Sequence, residues 1–182
     1  DGRDVSSLLK NADTAMYRAK EAGRNGFRFY AQEMNADAVD RLRLENDLRS
    51  AIKKGDELTL HYQPQVDTVT GCIVAAEALL RWHHPKHGLI SPVDFIPMAE
   101  ETGLIVQIGE WVLRHVCAQL RSWIEAGHPG IVIAVNLSPR QFHQPDIVEM
   151  IARALSDYDL PPHLLELEIT ESSLMRNPEE AA

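Results

Sequence analysis

Ala76-Glu77-Ala78-Leu79-Leu80-Arg81-Trp82 sets a carboxylate and a guanidinium four residues apart in an otherwise apolar, strand-like run. A buried carboxylate is costly unless it is ligated or paired, and a guanidinium suits a charge-assisted contact with an anion. Glu77 therefore asks for a cation and Arg81 for an anion, and a metal-bound phosphate satisfies both. The flanking residues read as alternating strands and helices. Leu58 to Pro64 and Cys72 to Trp82 read as strands, joined by Asp67-Thr68-Val69-Thr70-Gly71, a hairpin-length link that implies antiparallel pairing. Helical patterns follow from Pro92 to Glu101 and from Val106 to Ala126, then a strand from Ile131 to Asn136, a helix from Pro145 to Asp157 and a strand from Leu165 to Glu171. This is the βα rhythm of a parallel sheet or barrel.

Upstream, Leu8, Leu9, Ala12, Ala15, Met16 and Ala19 fall at helical spacing between Val5 and Ala22, and Gly23 stands where a C-cap belongs. Asn25-Gly26 is a turn signal, and Phe27-Arg28-Phe29-Tyr30 reads as a short strand. Residues 33–54 lack Gly and Pro and put Leu44, Leu48 and Ile52 on one stripe, which predicts a helix joining two domains and stopped by Gly55-Asp56. The expected division is 1–32, 33–54 and 55–182.

The 182 residues are 45% apolar, ample for a core, and carry a net charge of −9. Residues 1–50 hold nine basic and nine acidic side chains, residues 51–182 nine and eighteen, so all the excess acidity lies in the second part. Such a body argues against nonspecific binding to a nucleic-acid polymer or an anionic membrane. Cys72 and Cys117 lie far apart among apolar residues, which suggests burial and a reduced, intracellular setting. No apolar run reaches the roughly 18 residues a membrane span needs. The cytoplasm is the expected location, with any tether to an inner membrane supplied by upstream segments. Both ends read as cuts: the chain opens without Met, and Asn177-Pro178-Glu179-Glu180 reads as the start of a helix.

Glu77, Asn136 and Glu168 each fall at or near the C-terminal end of a successive predicted strand, and in a βα-barrel those ends converge on the active-site face. Three oxygen donors suit Mg²⁺ or Mn²⁺ better than Zn²⁺. Other signals carry less. His83, His84 and His87 share a loop marked by Pro85 and Gly88 with no cysteine nearby, and read as surface histidines rather than a zinc site. His115, in the stripe of Trp111, Val112, Val116 and Leu120, reads as packing at the core edge. Ser138 lacks a nucleophile-elbow pattern.

The set Tyr62-Gln63-Pro64, Glu77-Ala78-Leu79-Leu80-Arg81-Trp82, His84-Pro85, Phe95-Ile96-Pro97-Met98-Ala99-Glu100, Asn136-Leu137-Ser138 and Glu168-Ile169-Thr170-Glu171 resembles, in order, the motifs of the EAL-domain cyclic di-GMP phosphodiesterases. Upstream, Ala12-Asp13, Ala15-Met16-Tyr17, Ala19-Lys20 and Gly23-Arg24-Asn25 resemble the C-terminal tail of a GGDEF diguanylate cyclase domain.

The resemblance implies an α/β fold: the N-terminal half of a (β/α)₈ TIM-like barrel with an antiparallel first strand, preceded by a partial α+β GGDEF tail and a linker helix. It implies hydrolysis of cyclic di-GMP to pGpG on one or two divalent ions, Mg²⁺ or Mn²⁺. Glu77, Asn136 and Glu168 match metal ligands, Arg81 a phosphate contact and Glu171 a residue that steadies a loop beside the metals. Gln63, at the mouth of the first strand, is placed where it could touch a guanine. Lys20 and Arg24 match phosphate-contacting positions of the cyclase tail, though in this stretch alone they read as a solvated basic edge. A homodimer through the EAL part is the protein partner the family allows. The family's Asp-Asp motif, catalytic Lys and later Glu would follow Ala182, so the 182 residues alone are expected to be inactive. A degenerate EAL module that binds cyclic di-GMP without cleaving it is the alternative.

Overall fold

The structure is a computed structural model that describes residues 4–21, 26–31, 33–128 and 130–169. It comprises two compact units, Asp1–Ser50 and Ala51–Ala182.

In the first unit, α1 (Val5–Glu21) begins with the Asp4 carboxylate accepting from Ser7 N–H at 2.9 Å and from Ser7 Oγ–H at 2.8 Å. These bonds to the ionised form hold the Asp4 carboxyl below its ordinary pKa. The expected strand Phe27–Tyr30 is not one: residues 27–31 have no regular structure, and Phe27 and Phe29, both exposed, meet edge to face at 5.3 Å. Extended residues become a strand only when a neighbour takes up their backbone groups. Among the described residues of this unit there is none. Helix α2 (Glu33–Lys54) follows and crosses the unit boundary. It ends at Gly55, whose φ of +77° favours a residue without Cβ.

The second unit is built on a mixed sheet ordered β1 (Leu58–Val66), β2 (Ile73–His84), β4 (Val132–Asn136), β5 (Leu165–Glu168), with β3 (Gly88–Ile90) paired to the far end of β2. β1 and β2 are antiparallel, as the short link predicts, while β4 and β5 run parallel to β2. In the link, the Asp67 carboxylate accepts from Val69 N–H, Thr70 N–H and Thr70 Oγ1–H at 3.1, 2.7 and 2.8 Å. The Thr70 bonds foremost lower the Asp67 pKa.

Alternation along the strands separates two faces. Tyr62, Trp82 and Ile133 turn toward the helices α3 (Pro92–Thr102) and α4 (Leu104–Glu125), where Trp82 meets Phe95 at 5.6 Å and Tyr62 meets Trp123 at 5.2 Å between ring centroids. Helix α6 (Ile147–Asp157) packs on α4. The core is Trp82, Phe95, Leu104, Leu113, Val116, Cys117, Leu120 and Ile133, all essentially without solvent exposure. Burial in this layer pushes the Tyr62 hydroxyl up to about 12 and the Cys117 thiol up to about 11.

Four further expectations are corrected. Cys72 is exposed, because it stands in the turn before β2 rather than within the sheet. His84 is only 4% exposed; its Nδ1 accepts from the backbone N–H of Lys86 and of His87 at 3.1 and 3.2 Å, closing the β2–β3 turn. His115 is exposed, stacked on Trp111 at 3.7 Å. Glu77 is not at the end of its strand: β2 is 12 residues long and runs on to His84. Its parallel pairing with β4 stops at Ala78, however, so Glu77 does lie at the mouth of the parallel part.

Candidate metal and phosphate site

The sheet face turned away from the helices carries the polar residues. Register places Gln63, Glu77, Ala134 and Glu166 side by side across β1, β2, β4 and β5. The next row of the same face contains His61, Leu79, Asn136 and Glu168. Residues paired in register share a face, and so do those two positions on, so strand alternation alone brings these side chains together. Arg81 follows Leu79 on the same face of β2, past the end of β4.

Glu77 and Asn136 touch. Asn136 Nδ2 donates to Glu77 Oε1 at 2.6 Å, across 59 residues of sequence. Rotation of the amide about χ2 would present Oδ1 instead, giving two hard oxygen donors from adjacent strands. That donor chemistry fits part of the shell of Mg²⁺ or Mn²⁺. Glu168 pairs with Asn136 in register and adds a carboxylate one strand further on. Among the described residues no three His, Cys, Asp or Glu side chains converge closely enough to hold a metal. Glu77 and Asn136 are thus assembled, while Glu168 flanks them.

Arg81 is not brought to Glu77: four strand residues separate them by roughly 13 Å, and its Nη1 donates to the Leu80 carbonyl at 2.9 Å. Gln63 is exposed opposite Glu77. Glu171 and Arg24 lie outside the described residues, and Lys20 is described only as backbone of α1. Glu166, exposed in line with Glu77, was not singled out from the sequence, although its spacing of two from Glu168 on a strand is the signal for a shared face.

Behind the mouth, where β2 and β4 part, lies an apolar cavity of about 320 Å³ between the sheet and helices α3 and α4, lined by Leu79, Ile96, Ile108 and Val135 among others. Arg81 and Asn136 stand on its wall. The site is therefore an acidic, amide-bearing sheet mouth with a guanidinium beyond it.

Residues 45–182 match the EAL domain family, and the chain belongs to it. It is 51% identical over 177 residues to MucR of Pseudomonas aeruginosa, described as a bifunctional diguanylate cyclase/cyclic di-GMP phosphodiesterase, covering 97% of this chain and 26% of that protein. It is 41% identical over 178 residues to the cyclic di-GMP phosphodiesterase PdeR of Escherichia coli, covering 98% of this chain and 26% of that protein. The chain thus spans about a quarter of the length of these relatives. The solved c-di-GMP complex of the PaMucR phosphodiesterase superposes with a TM-score of 0.72 at 50% identity, over 76% of this chain and 56% of that one. The EAL enzyme Bd1971, bound to cAMP and cyclic di-GMP, superposes at 0.70 with 28% identity, over 96% and 46%. The fold is accordingly the EAL-type α/β fold with a mixed sheet.

Proposed function

We propose that this chain supplies the first cation ligands and a phosphate contact of an EAL phosphodiesterase that opens cyclic di-GMP to linear pGpG, as part of a longer protein. The observation that carries the reading is the 2.6 Å contact between Glu77 and Asn136 on the open sheet face. The phosphodiesterase names of MucR and PdeR, and the c-di-GMP complex of the MucR enzyme, support it.

Glu77, Asn136 and Glu168 would hold Mg²⁺ or Mn²⁺, which when bound lowers the pKa of water and neutralises charge on the phosphoryl group. Arg81, released from the Leu80 carbonyl, would hold a phosphate by its planar fork. Gln63 would reach a guanine, and Glu171 would steady the loop after β5. In this reading the sheet is the start of a (β/α)₈ barrel closed by later strands, residues 1–32 are the tail of a GGDEF domain with Lys20 and Arg24 as its phosphate contacts, and residues 33–54 link the two domains. The protein would work in the cytoplasm and pair with a second copy through its EAL domain.

The test is pGpG formation by the full-length protein given cyclic di-GMP and Mn²⁺. Wild type should turn over, and Glu77→Ala should lose the rate by orders of magnitude while remaining folded. Binding of cyclic di-GMP without any pGpG from wild type would replace the enzyme by a receptor.

A further inference from the structure

Asn136 ends β4, and the chain leaving it is held at several points. Leu137 N–H donates to the Glu168 carbonyl at 2.8 Å, keeping the backbone in step with β5. Ser138 then opens the short helix α5 (Pro139–Phe142) with a reciprocal cap. Gln141 N–H donates to Ser138 Oγ at 3.3 Å, and Ser138 N–H donates to Gln141 Oε1 at 3.0 Å.

Gln141 is 3% exposed, and its amide lies against Gly109 in the second turn of α4. A Cβ added at Gly109 would stand 1.7 Å from Gln141 Nε2, so any larger residue there displaces the amide. The neighbouring Arg140 adds a second hold: its Nη1 donates to the carbonyls of Glu100 and Glu101 at 2.7 and 3.1 Å, at the C-terminal end of α3. A guanidinium is favourable there because it meets the negative end of the helix dipole, and the Glu100 carbonyl also accepts from Gly103 N–H at 3.4 Å.

We propose that Gln141, seated on the bare backbone of Gly109, is the positioning residue that keeps the Asn136 amide against Glu77 and ready for a divalent cation. Only Leu137 separates Asn136 from the capped Ser138, so the backbone that carries the amide has little freedom while the cap is closed. Opening the cap strands the Ser138 N–H and lets the turn sample conformations in which the amide faces elsewhere. Ordering it again then opposes ion binding, as happens when an outer partner of a metal ligand is lost. The proposal rests on Glu77 and Asn136 being cation ligands, and its test separates the two claims.

In the full-length protein, Mn²⁺ binding is titrated directly, without substrate, beside the thermal midpoint for wild type, Asn136→Ala, Gly109→Ala and Gln141→Met. Gln141→Met keeps the volume and removes the cap acceptor, so it carries the test if Gly109→Ala does not fold. The expected result is Mn²⁺ affinity weakened about tenfold or more in Asn136→Ala and in the folded cap variants. Unchanged affinity in a folded Gln141→Met, with Asn136→Ala weakened, overturns the positioning role and leaves the ligand reading standing. Unchanged affinity in Asn136→Ala overturns both.

Discussion

Asn136 Nδ2 donates to Glu77 Oε1 at 2.6 Å, so an amide at the end of β4 and a carboxylate within β2 form one polar unit on the open face of the sheet. The contact is diagonal: Glu77 pairs in register with Ala134, and Asn136 lies one side-chain step beyond. The small Ala134 side chain leaves that diagonal unobstructed.

Exchanging the amide for an acid tests the unit directly. Asn136→Asp places two carboxyl groups in contact, and like-charge repulsion raises the pKa of one of them. A folded-state pKa raised above its unfolded value of about 3.9 favours the protonated native form. The variant should therefore be most stable near pH 4, relative to wild type, and lose stability as pH rises through the raised pKa, with Mn²⁺ restoring part of it. Melting temperatures from pH 4 to 8 check this. A variant whose pH dependence parallels wild type would show that the two side chains do not meet in solution.

If Arg81 holds a phosphate as proposed, it needs its fork. Its guanidinium now rests on the Leu80 carbonyl, and a lysine ammonium would keep the charge without the two-point geometry. Arg81→Lys in the full-length protein should lower kcat/KM for cyclic di-GMP by an amount equivalent to about 1–3 kcal/mol. Equal kcat/KM in the two proteins would make Arg81 a structural residue.

The two thiols should behave differently. Cys72 is exposed in a turn and Cys117 has no exposure, and burial raises the Cys117 thiol from 9.0 to about 11. A thiol reagent should therefore label Cys72 in the native protein and reach Cys117 only on unfolding. Between pH 9 and about 11 the unfolded thiol loses its proton while the native one keeps it, so the stability associated with neutral Cys117 is complete below pH 9 and falls as pH rises. Cys117→Ala should flatten the decline over that window, after allowance for the lost packing. A slope as steep as wild type, read from denaturant midpoints at stepped pH, would assign the alkaline loss to other groups such as Tyr62.

What could be read from the sequence was local or periodic. The five-residue link Asp67–Gly71 implied the β1–β2 hairpin, and apolar spacing located α1, α2, α3, α4 and α6 to within a few residues. Phe27–Tyr30 misled because its composition is strand-like while pairing depends on a distant neighbour. β3 is three residues long, too short for periodicity to register. The cap of α5 was legible in principle, since Ser138-Pro139-Arg140-Gln141 has the S-x-x-Q spacing. The seat of Gln141 on Gly109 was not, because it joins α5 to the second turn of α4 and only the packed structure brings them together. Likewise Glu77 and Asn136 could be singled out from the sequence, but their contact depends on the β2–β4 register.

The 182 residues by themselves should not turn over cyclic di-GMP. Among the described residues, Glu77 and Asn136 are the proposed ligands brought into contact, and no three acidic, His or Cys side chains form a cage. A two-metal displacement needs further donors. The outer edge of β5 is also unpaired among the described residues, and Val66, Val69, Ile73 and Val74 are exposed at the β1–β2 hairpin; an open edge and exposed apolar residues each favour association. The isolated chain should therefore be marginally stable, self-associate with rising concentration in sedimentation experiments, and bind Mn²⁺ more weakly than the full-length protein. Multiple-turnover pGpG formation by the purified 182-residue chain, abolished by Glu77→Ala so that contamination is ruled out, would mean that Glu77, Asn136 and Glu168 suffice for the chemistry.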